Sequence, residues 1–328
     1  MQNFLTVGQQ VLVLFILIFC GFVLGKTGVM NEKGAKVCAD IALTLATPCV
    51  IIQSFMREYR PEMLKKLLIA MLLAAAIHVF AIVVARLLYR KTDAQARVFR
   101  LAVVLSNAGF MALPLQKAVL GEEGVFYGAA YVAVFNLVFW SYGVMTMDTS
   151  GKKLSVQKLL VNPGTLGVAL GLVVFIGKIT LPEVVAAPMR HLASLNTPLP
   201  MLFAGYYLSN IDFGKAIRQK SCYGVMLLRL VAIPAVCIAL KYLCGVRGVL
   251  LTSMAIAGTA PVAVGVSMLS GRYGQDTETA VNLVALSTLF SAVTMPLLVA
   301  LTQLLPTLTT KYISVQRDFS NEKSRFFS

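Results

Sequence analysis

The chain has 328 residues, of which 58% are hydrophobic and 13% charged, with a mean hydropathy of +0.80. A soluble domain carries roughly 25% charged residues, so an ordinary water-soluble fold is excluded. The formal charge of +15 would suggest nucleic acid, but Lys and Arg sit at the ends of apolar runs, where they set topology and meet lipid headgroups. No RNA- or DNA-binding motif is present, so nucleic acid is not expected as a partner.

A membrane helix needs about 20 apolar residues. Ten spans are expected, at 4–25, 35–56, 64–89, 97–120, 125–147, 161–181, 188–209, 221–244, 248–270 and 277–305. The first reads as a retained helix, because "MQNFLTVGQQ" lacks the basic start of a signal peptide. The fourth and ninth spans are the least apolar and carry Asn, Gly, Ser, Thr and Pro internally. The segment 148–160 is a short basic linker, and 306–328 is a polar tail. Lys and Arg favour the side holding the loops after spans 1, 3, 5, 7 and 9, which places both termini outside an inner or plasma membrane. The six cysteines form no CxxC pair and read as packing residues; no cofactor or metal is expected.

The two halves repeat. Thr47-Pro48 recurs as Thr197-Pro198. Arg100, Pro114, Gly121 and Gly124 recur as Arg247, Pro261, Gly271 and Gly274, at offsets of 147 to 150. Five spans per copy is an odd number, so the second copy must cross the membrane with reversed polarity. The fold class is thus an all-α integral membrane protein of two inverted five-helix repeats, 1–147 and 161–305, an architecture common among secondary transporters.

"SNAGFMALPL" at 106–115 breaks an apolar run. Pro114 lacks an N–H, and Gly109 and Gly258 permit unwinding. Spans 4 and 9 are then each two half-helices meeting near the midplane. The N-termini of the second halves aim free N–H groups and partial positive charge at the gap. That suits an anionic group such as a carboxylate. Ser106, Asn107 and Thr259 can add side-chain hydrogen bonds.

At these residues the chain resembles the auxin efflux carrier family, in its bacterial members without a long central loop. The likeness runs over nearly the whole chain. "SNAGFMALPL", "GTAPVAVGVSMLSGRYGQD" and "LSTLFSAVTMPLL" carry it. It implies a fold like that of bile acid symporters and sodium/proton antiporters, with broken helices 4 and 9 crossing. It also implies a homodimer, a scaffold from spans 1, 2, 6 and 7, and a moving part from spans 3–5 and 8–10. Substrates of the class are malonate, malate or auxin-like acids. By that likeness Asn107, Pro114 and Pro261 hold the carboxylate, with Gly109, Phe110 and Gly258 beside them.

Ionisable residues inside the membrane are costly and often functional. Asp40, His78 and Arg229 are candidates for ion coupling or for a counter-charge to substrate. Arg86, Lys178 and Lys241, near span ends, read as surface anchors. Asn136 and Ser287 in spans 5 and 10 are candidate cavity lining, as are Asn282 and Thr288. No paired buried carboxylates are present, but a sodium site of backbone carbonyls at the breaks stays open beside proton coupling.

The reading is a secondary active or facilitative carrier of small organic anions, with H+ or Na+ as possible co-substrates and lipid around it. The alternatives are a sodium- or proton-coupled symporter of a larger amphipathic acid, and a receptor or channel of the same fold. An enzyme is not expected: His78 and His191 are the two histidines, on separate spans, and no HExxH, GxSxG or GxxxxGK[ST] motif is present.

Overall fold

Long Leu-, Val- and Ala-rich runs fold as helices because, without water, a backbone must satisfy its own hydrogen bonds. The computed structural model describes residues 2–150 and 162–326. Most of the expected linker 148–160, and the side chains of the tail 306–328, lie outside the described residues.

In chain order the helices are α1 Gln2–Lys26, α2 Glu32–Phe55, α3 Pro61–Leu88, α4 Ala94–Val104, α5 Ala108–Met147, α6 Pro163–Ile176, α7 Glu183–Ser194 and α8 Pro198–Ser209. Then follow α9 Phe213–Arg218, α10 Ser221–Leu243, α11 Gly248–Thr259, α12 Gly265–Arg272 and α13 Thr277–Phe326. Among the described residues there is no strand, and six helices are long and apolar enough to cross a membrane. They are Val7–Lys26 of α1, α2, α3, α5, α10 and Thr277–Thr302 of α13. Polar side chains mark several starts. Asn31, Asp93, Asn162 and Asp212 each accept a backbone N–H at the head of α2, α4, α6 and α9, satisfying donors the helix itself cannot.

The expected spans are interrupted in three places. Leu105–Asn107 separates α4 from α5, and Ala260–Val264 separates α11 from α12. The third break, Leu195–Thr197 between α7 and α8, falls inside the expected seventh span and was not anticipated. The prolines act differently from expectation. Pro48, Pro114 and Pro234 each sit just after a π-helical turn, at Ala42–Ala46, Ala108–Ala112 and Leu228–Ala232. A proline offers no N–H and pushes off the carbonyl four residues back, so the preceding turn widens by one residue instead of parting. Of the site prolines, only Pro261 lies within a break. Gly109 and Gly258 also lie outside the unwound segments, Gly109 in the π turn and Gly258 one residue before the end of α11. The glycine conformation that matters comes later. Gly121, inside α5, takes φ 65° and ψ −158°, a kink in that helix that only glycine adopts readily, and Gly274, just past α12, takes φ 61°.

α1 packs against α8, and α2 against α6 and α7. Small residues make this close approach possible. A Cβ on Gly205 would fall 2.0 Å from the Ile18 carbonyl, and one on Gly171 would fall 2.8 Å from Phe55. At one end of the molecule Gln53, Arg57 and Tyr59 gather with Glu122, Phe126, Phe175 and Lys178. At the other, Gln275 accepts from Arg97 and donates to the Met147 carbonyl, at 3.2 and 2.9 Å.

Candidate functional site

The two breaks in α4–α5 and α11–α12 run antiparallel past one another and pair as a fragment of sheet. Ser106 and Val262 form an antiparallel bridge. The Asn107 N–H donates to the Pro261 carbonyl at 2.8 Å, and the Ala263 N–H donates to the Leu105 carbonyl at 2.9 Å. Unwound backbone inside apolar protein must find such partners. Here each break supplies them for the other. Ser287 of α13 completes the set, its hydroxyl oxygen accepting from the Val262 N–H at 3.1 Å.

Side chains around the crossing are deeply buried. Ser106 is wholly buried and donates its hydroxyl to the Tyr131 oxygen at 3.1 Å. His78 stands beside Tyr131, with ring centroids 5.1 Å apart. Its Nδ1 lies 2.7 Å from the Ala74 carbonyl and therefore carries the proton, while Nε2 is buried with no hydrogen-bond partner among the described residues. Arg229 is fully buried and donates to the carbonyls of Val103, Gly258 and Ala260.

Asn107 differs from its neighbours. It heads α5, yet its carboxamide neither caps the helix nor bonds to any other described residue. Behind it, the N–H groups of Gly109 and Phe110 lie in a first turn, where a helix has no acceptor of its own. The N–H groups of Val264 and Gly265 stand likewise at the head of α12. A Cβ on Gly109 would meet nothing within 4 Å, so space borders this end. Phe110 and Val264 pack with Phe203, Ala35, Ala39 and Ala42, which sets both helix starts against α2 and α8. A narrow cleft lies beside them, lined by Phe203, Tyr207, Val264, Ser267, Val284 and Thr288.

Of the residues singled out from sequence, the structure brings together Ser106, Asn107, Gly258, Pro261, Ser287, His78 and Arg229. Gly109 and Phe110 flank them. Several others are placed differently. Pro114 is buried in the first α turn beyond the π turn. The Thr259 hydroxyl turns back to the Ile256 carbonyl at 3.2 Å, spent on its own helix. Asn136 lies against Gly164 at the start of α6. Asn282 donates to Gln219 at 3.1 Å. Asp40 is exposed, on the face of α2 turned away from Ala35, Ala39 and Ala42. Lys241 is no surface anchor: it is 4% exposed and packs among Cys237, Met254 and Gly258.

Tyr131 and the carbonyls of Val103 and Ala260 were missed. The one available sequence signal was the matched breaks themselves, since a break exposes carbonyls that some donor must meet. A second meeting point has the same character. The Thr47 hydroxyl donates to Asn196 Oδ1 at 2.7 Å, in buried surroundings, so the two repeated Thr-Pro motifs also touch.

The model of a family described as "Membrane transport protein" matches residues 6–299. Among curated relatives, "Uncharacterized transporter MJ1031" of Methanocaldococcus jannaschii is 23% identical over 298 residues, 86% of this chain and 94% of its own. An "Uncharacterized transporter" of Methanothermobacter thermautotrophicus is 22% identical over 297 residues, 88% of this chain and 96% of its own.

Proposed function

Because the chain belongs to the membrane transport protein family, that of the auxin efflux carriers, we propose that it is a carrier of small organic anions that binds a carboxylate where its two interrupted helices cross. The observation that carries this is Asn107: an uncommitted carboxamide heading a helix in whose first turn the Gly109 and Phe110 N–H groups have no acceptor within the helix. Together with the head of α12 this gives two partial positive ends and several donors in one place. A carboxylate accepts from all of them. Arg229 is not assigned as its direct partner, since each of its three nitrogens already donates to a carbonyl.

The architecture proposed with it is ten crossings in two inverted repeats, 1–147 and 161–305. Support comes from which segments meet. In a molecule with a two-fold axis in the membrane plane, equivalent segments touch each other near the axis. Here Thr47 touches Asn196, one residue from its repeat-equivalent Thr197, and the break of the fourth span touches the break of the ninth, although Pro114, the repeat-equivalent of Pro261, lies beyond its own break. Spans 1, 2, 6 and 7, joined by close glycine contacts, form the scaffold; spans 3–5 and 8–10 move, exposing the site alternately. Both termini face outward, and the carrier works as a homodimer in the inner or plasma membrane.

The test is uptake of labelled malonate, malate and indole acetate into proteoliposomes. Saturable flux is expected for at least one acid, reduced about a hundredfold in Asn107→Ala, as for loss of a hydrogen bond to a charged group with its geometry. Equal flux in the folded variant would move the site away from the crossing.

A further inference from the structure

Unwinding two helices in mid-protein creates a problem at their C-terminal ends as well as at their N-terminal ones. The last carbonyls of α4 and α11 lose their intrahelical partners. Each helix end also carries roughly half a negative charge, so the two together present about one unit in a region closed to water. Carbonyl-rich ends of this kind are where a transporter holds a sodium ion.

Arg229 already occupies that position. It stands on the π turn of α10, with 0% of its surface exposed. Its Nε donates to the Ala260 carbonyl at 3.3 Å, one terminal nitrogen donates to Val103 at 3.4 Å, and the other donates to Gly258. One planar fork thus joins the end of α4 to the end of α11. The ionisable side chains facing it are Tyr131 of α5, Cys237 of α10 and His78 of α3. None is a carboxyl, so the helix ends themselves balance the charge. Lysine could not replace this contact: a single ammonium has no rigid fork with which to span three acceptors.

We propose that Arg229 is a resident counter-ion that does at the crossing what a bound metal cation would do, so that this protein needs no sodium ion there. A sodium ion would compete for the same carbonyls and would sit beside the positive guanidinium. Arg229 is a positioning residue in this account: it holds α4 to α11 and touches no substrate. The flux arm of the test rests on the carrier reading above; the thermal arm does not.

The experiment uses the full chain, purified and kept in choline salts. Thermal unfolding and acid uptake are measured with and without sodium, for wild type, Arg229→Lys, Arg229→Met and Arg229→Ala. Wild type should show the same midpoint and the same flux in choline and sodium. Arg229→Ala should lose flux about a hundredfold, as when one side of a buried charged contact is removed, and its midpoint should fall. Millimolar guanidinium chloride, but not choline or sodium chloride, should restore part of both. Arg229→Lys should lie between. Three results overturn the proposal: sodium raising the wild-type midpoint or being required for its flux, Arg229→Met matching wild type in both readouts, or a folded Arg229→Ala indifferent to guanidinium. If Arg229→Ala does not fold, the sodium response of wild type and the rank of Lys against Met decide. Absence of flux for every acid would overturn the carrier reading and leave the thermal arm to judge Arg229.

Discussion

Gln116 shows how much one side chain can fix in this fold. Fully buried on α5, it donates to the Ser253 carbonyl of α11 at 2.8 Å, and the Ser253 hydroxyl returns a bond to the Gly124 carbonyl at 2.8 Å. Gly128 leaves the room for it: a Cβ there would fall 2.0 Å from Gln116 Oε1. Gly128→Ala should therefore displace a pinned carboxamide and cost about 1–3 kcal/mol, seen as a lowered thermal midpoint in detergent. Adding Gln116→Ala to it should cost little beyond Gln116→Ala alone, because the two act on one contact. Residues of this kind were hard to read from sequence. Asn107 and Pro261 stood out because asparagine and proline are conspicuous in an apolar run. Tyr131, Gln116 and Ser253 did not, because their partners lie on other helices. Asp40 and Lys241 show the same limit from the other side. Each is a charge near a span end, yet one faces outward and the other packs inward, and only the neighbouring helices decide which.

At the scale of elements, composition sufficed to announce apolar helices, and the polar content of the fourth and ninth spans sufficed to announce that they are broken. The position of the breaks was less legible. The prolines drew attention, but Pro48, Pro114 and Pro234 widen a turn and leave the helix continuous. The true separations at Leu105–Asn107 and Ala260–Val264 are held open by pairing with each other, a long-range cause with no local signature. The break before Pro198 also went unseen, and it is of another kind, its Leu195 and Asn196 N–H groups turning back to the Leu192 and Ala193 carbonyls at the end of α7. Close helix packing is more predictable once seen. α1 and α8 meet backbone to backbone at Gly205, where no side chain fits. Gly205→Leu should force them apart at a cost of about 3 kcal/mol. A lower thermal midpoint and early elution of misfolded protein on size exclusion would report it, whereas Gly8→Leu, where a Cβ meets nothing, should leave both unchanged.

For the molecule as a whole, the buried cation at the crossing has an electrical consequence. If the part bearing Arg229 moves through the membrane field, it takes a fixed positive charge with it. Voltage acts on a charge crossing the full field at about 2.3 kcal/mol per 100 mV. Loaded with a monovalent anion, the charge of Arg229 and that of its cargo cancel and the pair is nearly blind to voltage; empty, Arg229 is not. Net uptake should then follow an imposed potassium diffusion potential, while one-for-one exchange of labelled for unlabelled acid should ignore it. Equal voltage sensitivity of the two modes would show that the charge stays still while the substrate passes. The same guanidinium that ties two helix ends together would thus make the unladen return the step at which a cell's membrane potential sets the pace.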